Sequence, residues 1–188
     1  MNKRVVLFFV LLVSAAGLLV GCGAASQIED YIESRYSFVD VITSNYDSAE
    51  TYVYLAEDQQ VQEVANELIQ VQEPDETGKY VNGRQVLIYD DQFVIMTENP
   101  DNQNQTLIEL SDQEFVRNHY NPGFFQGMLL GHMLTNMFGG GWDSSQRNRC
   151  GSAYNNDCYG GYGASGGSVS GSSGRGSLFR GGGPGSGK

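Results

Sequence analysis

The sequence predicts an α+β fold: a small, mostly antiparallel sheet packed with helices, between an apolar leader and a Gly/Ser-rich tail. Two observations carry the fold class. Short β-rich runs follow one another at hairpin spacing, and helical periodicity is interspersed among them rather than alternating strictly with single strands. A third observation sets the limits: after Trp142 aliphatic residues nearly vanish.

Taken in order, residues 26–35 read as a helix. Ser26 and Glu29 form a capping box, and Ile28, Tyr31 and Ile32 share one face. Residues 38–43 ("FVDVIT") alternate like a half-buried strand, and 51–56 ("TYVYLA") are β-rich. Residues 58–72 give the clearest helix, with Val61, Val64, Ala65 and Leu68 at i, i+3, i+4, i+7 and Pro74 just beyond. Residues 85–89 and 92–96 flank Asp90-Asp91 as a hairpin, 98–105 read as a polar loop, and 106–110 ("TLIEL") add a third strand. Ser111 and Glu114 form a second capping box for a short helix to about His119. The α+β domain is therefore placed at 26–120, large enough to bury a core without disulfides.

Residues 121–142 ("NPGFFQGMLLGHMLTNMFGGGW") predict one helix, apolar nearly all round, with Gly123, Gly127 and Gly131 in a ridge that would let two backbones approach closely. The run is too short to span a bilayer. Its cover is this protein's own domain, the bilayer surface or another chain. Residues 143–188 lack the apolar content to offset chain entropy and are expected to be disordered.

The leader has a basic start, Lys3 and Arg4, an unbroken apolar run from Val5, and then Leu19-Val20-Gly21-Cys22. This resembles the lipobox of bacterial lipoproteins, which implies cleavage after 1–21, a diacylglycerol on Cys22 and a tether at 22–25. The implied location is the extracytoplasmic face of the cell membrane. The net charge of −11 is unevenly placed. Residues 22–142 hold twenty Asp and Glu against four bases, a formal −16, whereas residues 143–188 carry +3. An acidic body argues against nucleic acid as a partner. The basic tail reads as a solubilising segment, or one that touches anionic lipid or wall polymer. Cys150 and Cys158 bracket a turn-rich loop; they form either a disulfide or two free thiols, and the spacing fits neither zinc nor a redox motif.

Three famous patterns lie in the tail. Gly161, Gly163 and Gly166 fit a dinucleotide loop, Gly163, Ser165 and Gly167 a nucleophile elbow, and Gly182, Gly187 and Lys188 a phosphate loop. Each needs a buried strand before it and a helix after it, and no such flanks are predicted, so no nucleotide or other cofactor is expected. His119 and His132 stand outside any metal-ligand spacing, so no metal site is expected either. No catalytic constellation emerges.

The lipobox, "IEDYIESRY", "VQEVANELI" and above all "TLIELSDQEFVRNHYNPGFFQGMLLGHMLTNMFGGGW" with its Gly/Ser tail resemble a bacterial lipoprotein family known as domain of unknown function 4247. The resemblance covers the whole mature chain. It implies a Gram-positive cell surface, an association with envelope stress and no assigned activity. The expected function is a non-enzymatic, lipid-anchored interaction module that meets a membrane protein, or itself, through 121–142. Two alternatives stand beside it: an enzyme acting on envelope polymers, and a structural surface protein whose basic tail threads the wall.

Overall fold

The computed structural model describes residues 24–44, 47–129, 131–152, 158–162 and 179–181. The fold is α+β. After α1 (Ala24–Arg35), the strands β1 (Ser37–Ser44) and β2 (Glu50–Ala56) form a hairpin, followed by α2 (Val61–Val71). Then come β3 (Glu76–Thr77), β4 (Arg84–Tyr89), β5 (Gln92–Asn99) and β6 (Asn102–Asp112). The chain continues through α3 (Gln113–His119), a 3-10 turn (Pro122–Phe125), α4 (Gly131–Phe138) and α5 (Trp142–Ser152), and β7 (Phe179–Gly181) closes the described residues. One antiparallel sheet runs β3-β4-β5-β6-β2-β1-β7.

Strand alternation divides the core between the two faces of this sheet. On one face Leu87, Tyr89, Val94, Met96, Ile108 and Leu110 pack under α1 and α2, through Ile28, Ile32, Val61, Val64 and Leu68. On the other, Val86, Ile88, Phe93, Ile95 and Leu107 are covered by Phe115, Val116, Tyr120, Phe124, Phe125, Phe138, Trp142 and Tyr159. The central strands are apolar on both faces, so they read as continuous runs (VLIY, FVIM) rather than alternating ones.

Several boundaries differ from the sequence reading, each for a local reason. Helix α1 already includes Ala24, so Ser26 lies inside it rather than capping it. Helix α2 starts three residues late because Asp58 adopts a positive φ of 54° in a turn, and the Glu63 carboxylate then accepts the Gln60 N–H at 2.8 Å. Ser111 is not the cap of α3: it is buried at the end of β6 and hydrogen-bonds Thr51, while Asp112 accepts the Phe115 N–H at 2.5 Å. The polar stretch 98–105 is not a loop. Cross-strand pairing between β5 and β6 overrides its composition down to a tight turn at Asn99 and Asn102.

The largest correction falls on 121–142, which is not one helix. A 3-10 turn, a glycine turn at Gly127 with φ +86°, and the separate helix α4 replace it, so that Phe124, Phe125, Met128 and Leu129 all reach the sheet. A continuous helix would turn part of that set away from the core. The disordered reading of 143–188 also fails at its start, because α5 runs to Ser152 and residues 158–162 dock on the core. The rest of that tail, like Cys22 and the leader, lies outside the described residues apart from β7.

Candidate functional site

Strand β6 carries a carboxylate into the more aromatic face of the sheet. Leu107, Glu109 and Ser111 alternate toward that face, and Ile108 and Leu110 toward α1 and α2. Glu109 is fully buried, which is costly for a carboxyl group unless it is hydrogen-bonded. Three donors converge on it. The Tyr120 and Tyr159 hydroxyls donate to Oε2 at 3.0 and 2.5 Å, and the Tyr162 N–H donates to Oε1 at 2.8 Å. Burial pushes the Glu109 carboxyl above its ordinary range, against the opposing pull of these donors and of the Arg84 charge. Burial, reinforced by Glu109, also lifts both tyrosines well above theirs.

Two of those donors come from a short strap, residues 158–162. The Tyr159 N–H donates to the His119 carbonyl at 2.9 Å, and the Asn121 N–H donates back to the Tyr159 carbonyl at 3.0 Å. The Tyr159 ring meets Tyr120 edge-on at 4.9 Å and Phe115 at 5.6 Å. Gly161 then turns at φ +90°, and a Cβ there would lie 2.6 Å from Cε2 of Phe124, so glycine alone lets the strap approach. The Tyr162 hydroxyl donates to Asp40 at 3.3 Å. At the strap's start Cys158 is bonded to Cys150 of α5, with Cα atoms 5.2 Å apart. Arg84 lies over the outer ring, its guanidinium carbon 5.0 Å from the Phe124 centroid.

A second polar group adjoins the first. The buried His119 Nε2 lies 2.9 Å from an Asp47 carboxylate oxygen, which ties the β1–β2 loop to α3. Burial holds His119 below its ordinary value in spite of that partner. Asp47 is drawn upward by burial, but the Ala49 N–H and His119 outweigh this and hold it below its usual range. The serine, threonine and histidine of this face are all enclosed. An open cleft of about 630 Å³ lies nearby, lined by Asp91, Asp112, Gln113, Glu114, Arg117 and Asn118. Its lining includes no serine, threonine, cysteine or histidine.

The chain matches the family model described as "Domain of unknown function (DUF4247)" over residues 15–187. It belongs to that family. Searches of curated proteins and of solved structures returned no match.

The sequence-predicted positions of this DUF4247 chain are placed as follows. Cys150 and Cys158 are joined, which decides between the two readings of that pair. Gly123, Gly127 and Gly131 do not form a ridge. Gly123 sits in the 3-10 turn, Gly127 in a left-handed turn beside Val81, and Gly131 starts α4 with open space where a Cβ would be. His119 is buried in the core, whereas His132 is exposed on α4. Among the described residues no three His, Cys, Asp or Glu side chains gather as metal ligands, and no helix is long and apolar enough to cross a membrane. Sequence reasoning missed Glu109, Tyr120, Tyr159 and Tyr162. One signal was present: "TLIEL" places an acid at the centre of a strand whose neighbours are all apolar or β-branched.

Proposed function

We propose that this chain is an extracytoplasmic, lipid-anchored binding module and not an enzyme. One observation carries the reading: the Cys150–Cys158 disulfide stands where the C-terminal strap meets the core. Such a bond persists in oxidising compartments and is rare in a reducing cytoplasm. It agrees with the lipoprotein signal ending at Cys22, whose thiol would bear the diacylglycerol anchor.

Binding is favoured over catalysis by where the perturbed groups lie. Glu109 and His119 are sealed beneath aromatic rings, so no substrate reaches them with the strap in place. The outward-facing features are of another kind. Phe38 and Tyr52 remain 44% and 40% exposed on the β1–β2 pair. Within 121–142, the exposed helical surface open to a membrane-protein partner or a second copy is the outer side of α4, at Gly131, His132, Thr135 and Asn136, beside exposed turns at Gln126-Gly127 and Gly139–Gly141. Nucleotides and nucleic acids fit neither surface beside so acidic a body.

The test is lipid labelling of the full chain in a Gram-positive host, with proteolysis of intact cells. Wild type is expected to incorporate a palmitate analogue and to be cut from outside; Cys22→Ala is expected to lose the label. Labelling that survives in the variant, or protection of wild type in intact cells with cleavage after lysis, would overturn the proposal.

A further inference from the structure

We propose that the Cys150–Cys158 disulfide is a redox-operated clamp: its reduction frees residues 158–162 from the sheet and opens the aromatic pocket around Glu109, while the rest of the domain stays folded. Four observations lead there. Strands β1 to β6 pair with one another without the strap, so its release breaks no rung of their ladder. The strap supplies two of the three donors that converge on Glu109, so its departure admits water to a carboxyl left with the Tyr120 hydroxyl. The fit at Gly161 depends on a positive φ and on close approach to Phe124, which is a docked geometry and not one that a free chain holds by itself. Finally, Cys158 is partly exposed while Cys150 is buried, so an external thiol meets the strap's sulfur first.

The chemistry is thiol–disulfide exchange with a dithiol, either a small molecule or a thioredoxin-like protein. One thiolate of the dithiol attacks Sγ of Cys158, forming a mixed disulfide and expelling Cys150 as thiolate. The second thiol of the dithiol then resolves the mixed disulfide. The dithiol ends oxidised, both cysteines end reduced, and one S–S bond has replaced another. Seven residues lie between the two cysteines. Losing the closure of so short a loop shifts the strap's opening equilibrium by roughly two orders of magnitude in the chain-entropy model.

The experiment is amide hydrogen exchange on the full chain in detergent, oxidised and after dithiothreitol without denaturant, followed peptide by peptide. In the oxidised protein residues 158–162 are expected to be protected. Reduction is expected to lower their protection about 100-fold and to leave β4 and β5 unchanged. A Cys150→Ser, Cys158→Ser double variant is expected to match the reduced protein. Three results would each overturn the clamp: unchanged protection of the strap after reduction, a global loss of protection in the reduced wild type, or a disulfide that dithiothreitol cannot reach in the folded chain. Because reduction is applied to folded wild type, the test holds even if the double variant does not fold.

Discussion

If the strap is part of the core, truncating Tyr159 should cost a core residue's worth of stability in the oxidised protein. Two substitutions separate its contributions. Tyr159→Phe keeps the ring between Phe115 and Tyr120 and removes only the hydroxyl that donates to Glu109. A buried acceptor deprived of one partner costs about 1–2 kcal/mol. Tyr159→Ala also removes the ring, a loss of about 3–5 kcal/mol for a buried aromatic. That loss has a ceiling, because the strap can undock locally before the sheet melts, so the measured value cannot exceed the free energy of docking. For a domain of this size about 3 °C of melting temperature corresponds to 1 kcal/mol. Phe is therefore expected near 3–6 °C below wild type and Ala further below it, up to a ceiling of about 8 °C set by a docking worth no more than the roughly 100-fold that reduction removes, by thermal circular dichroism under oxidising conditions. Pairing each with Glu109→Gln should give a coupling energy above about 0.5 kcal/mol for the hydroxyl, because the two side chains touch. A Tyr159→Ala protein that melts within 2 °C or so of wild type would refute the reasoning, since no fully buried ring in contact with two others is that dispensable.

Two further predictions concern the glycines and the buried acid. Gly131→Leu should leave the melting point within about 0.5 kcal/mol of wild type because its Cβ meets open space, whereas Gly127→Ala should lose about 1–2 kcal/mol to its φ of +86°; equal losses at both sites would restore the continuous ridge that the structure lacks. Burial raises Glu109 above its ordinary 4.5, so the folded state holds the proton more tightly than the unfolded chain, and this contribution is full below pH 4.5 and is lost as pH rises through the raised folded value. Tyr120, Tyr159 and Arg84 face that carboxyl and are common to both proteins. Melting curves of Glu109→Gln and wild type from pH 4 to 8 should therefore converge or cross as pH rises, and parallel curves would contradict the buried carboxylic acid.

What the sequence made legible was the part of the fold that rests on local signals. The 3.6-residue period placed α2 to within three residues of its start, and β-rich runs around Asp90-Asp91 placed the β4–β5 hairpin with Tyr89 opposite Gln92. Both depend on neighbours in the chain. The corrections came where a distant partner decides. Stretch 98–105 is polar enough for a loop, yet it is ladder because β5 and β6 continue to pair. Ser111 fits a cap motif, yet Thr51, sixty residues away, takes its hydroxyl into the core.

The strap was hidden for a related reason. A tail is read as unfolded when its average apolar content cannot offset the entropy of ordering it, and by that measure residues 143–188 fail. The average is the wrong quantity once a covalent bond and a single aromatic side chain act at one point. The disulfide removes part of the entropy of bringing residue 158 to α5, and only the few residues beyond it must then be fixed. For those few, one fully buried tyrosine, one glycine able to turn at φ +90° and one buried carboxylate waiting for donors are enough. The acid in "TLIEL" and the tyrosines of "CYGGYG" therefore belong to one argument. A carboxylate inside a sheet demands donors, and when its own neighbourhood supplies only Tyr120, the rest must come from elsewhere in the chain, held there by something stronger than their own burial.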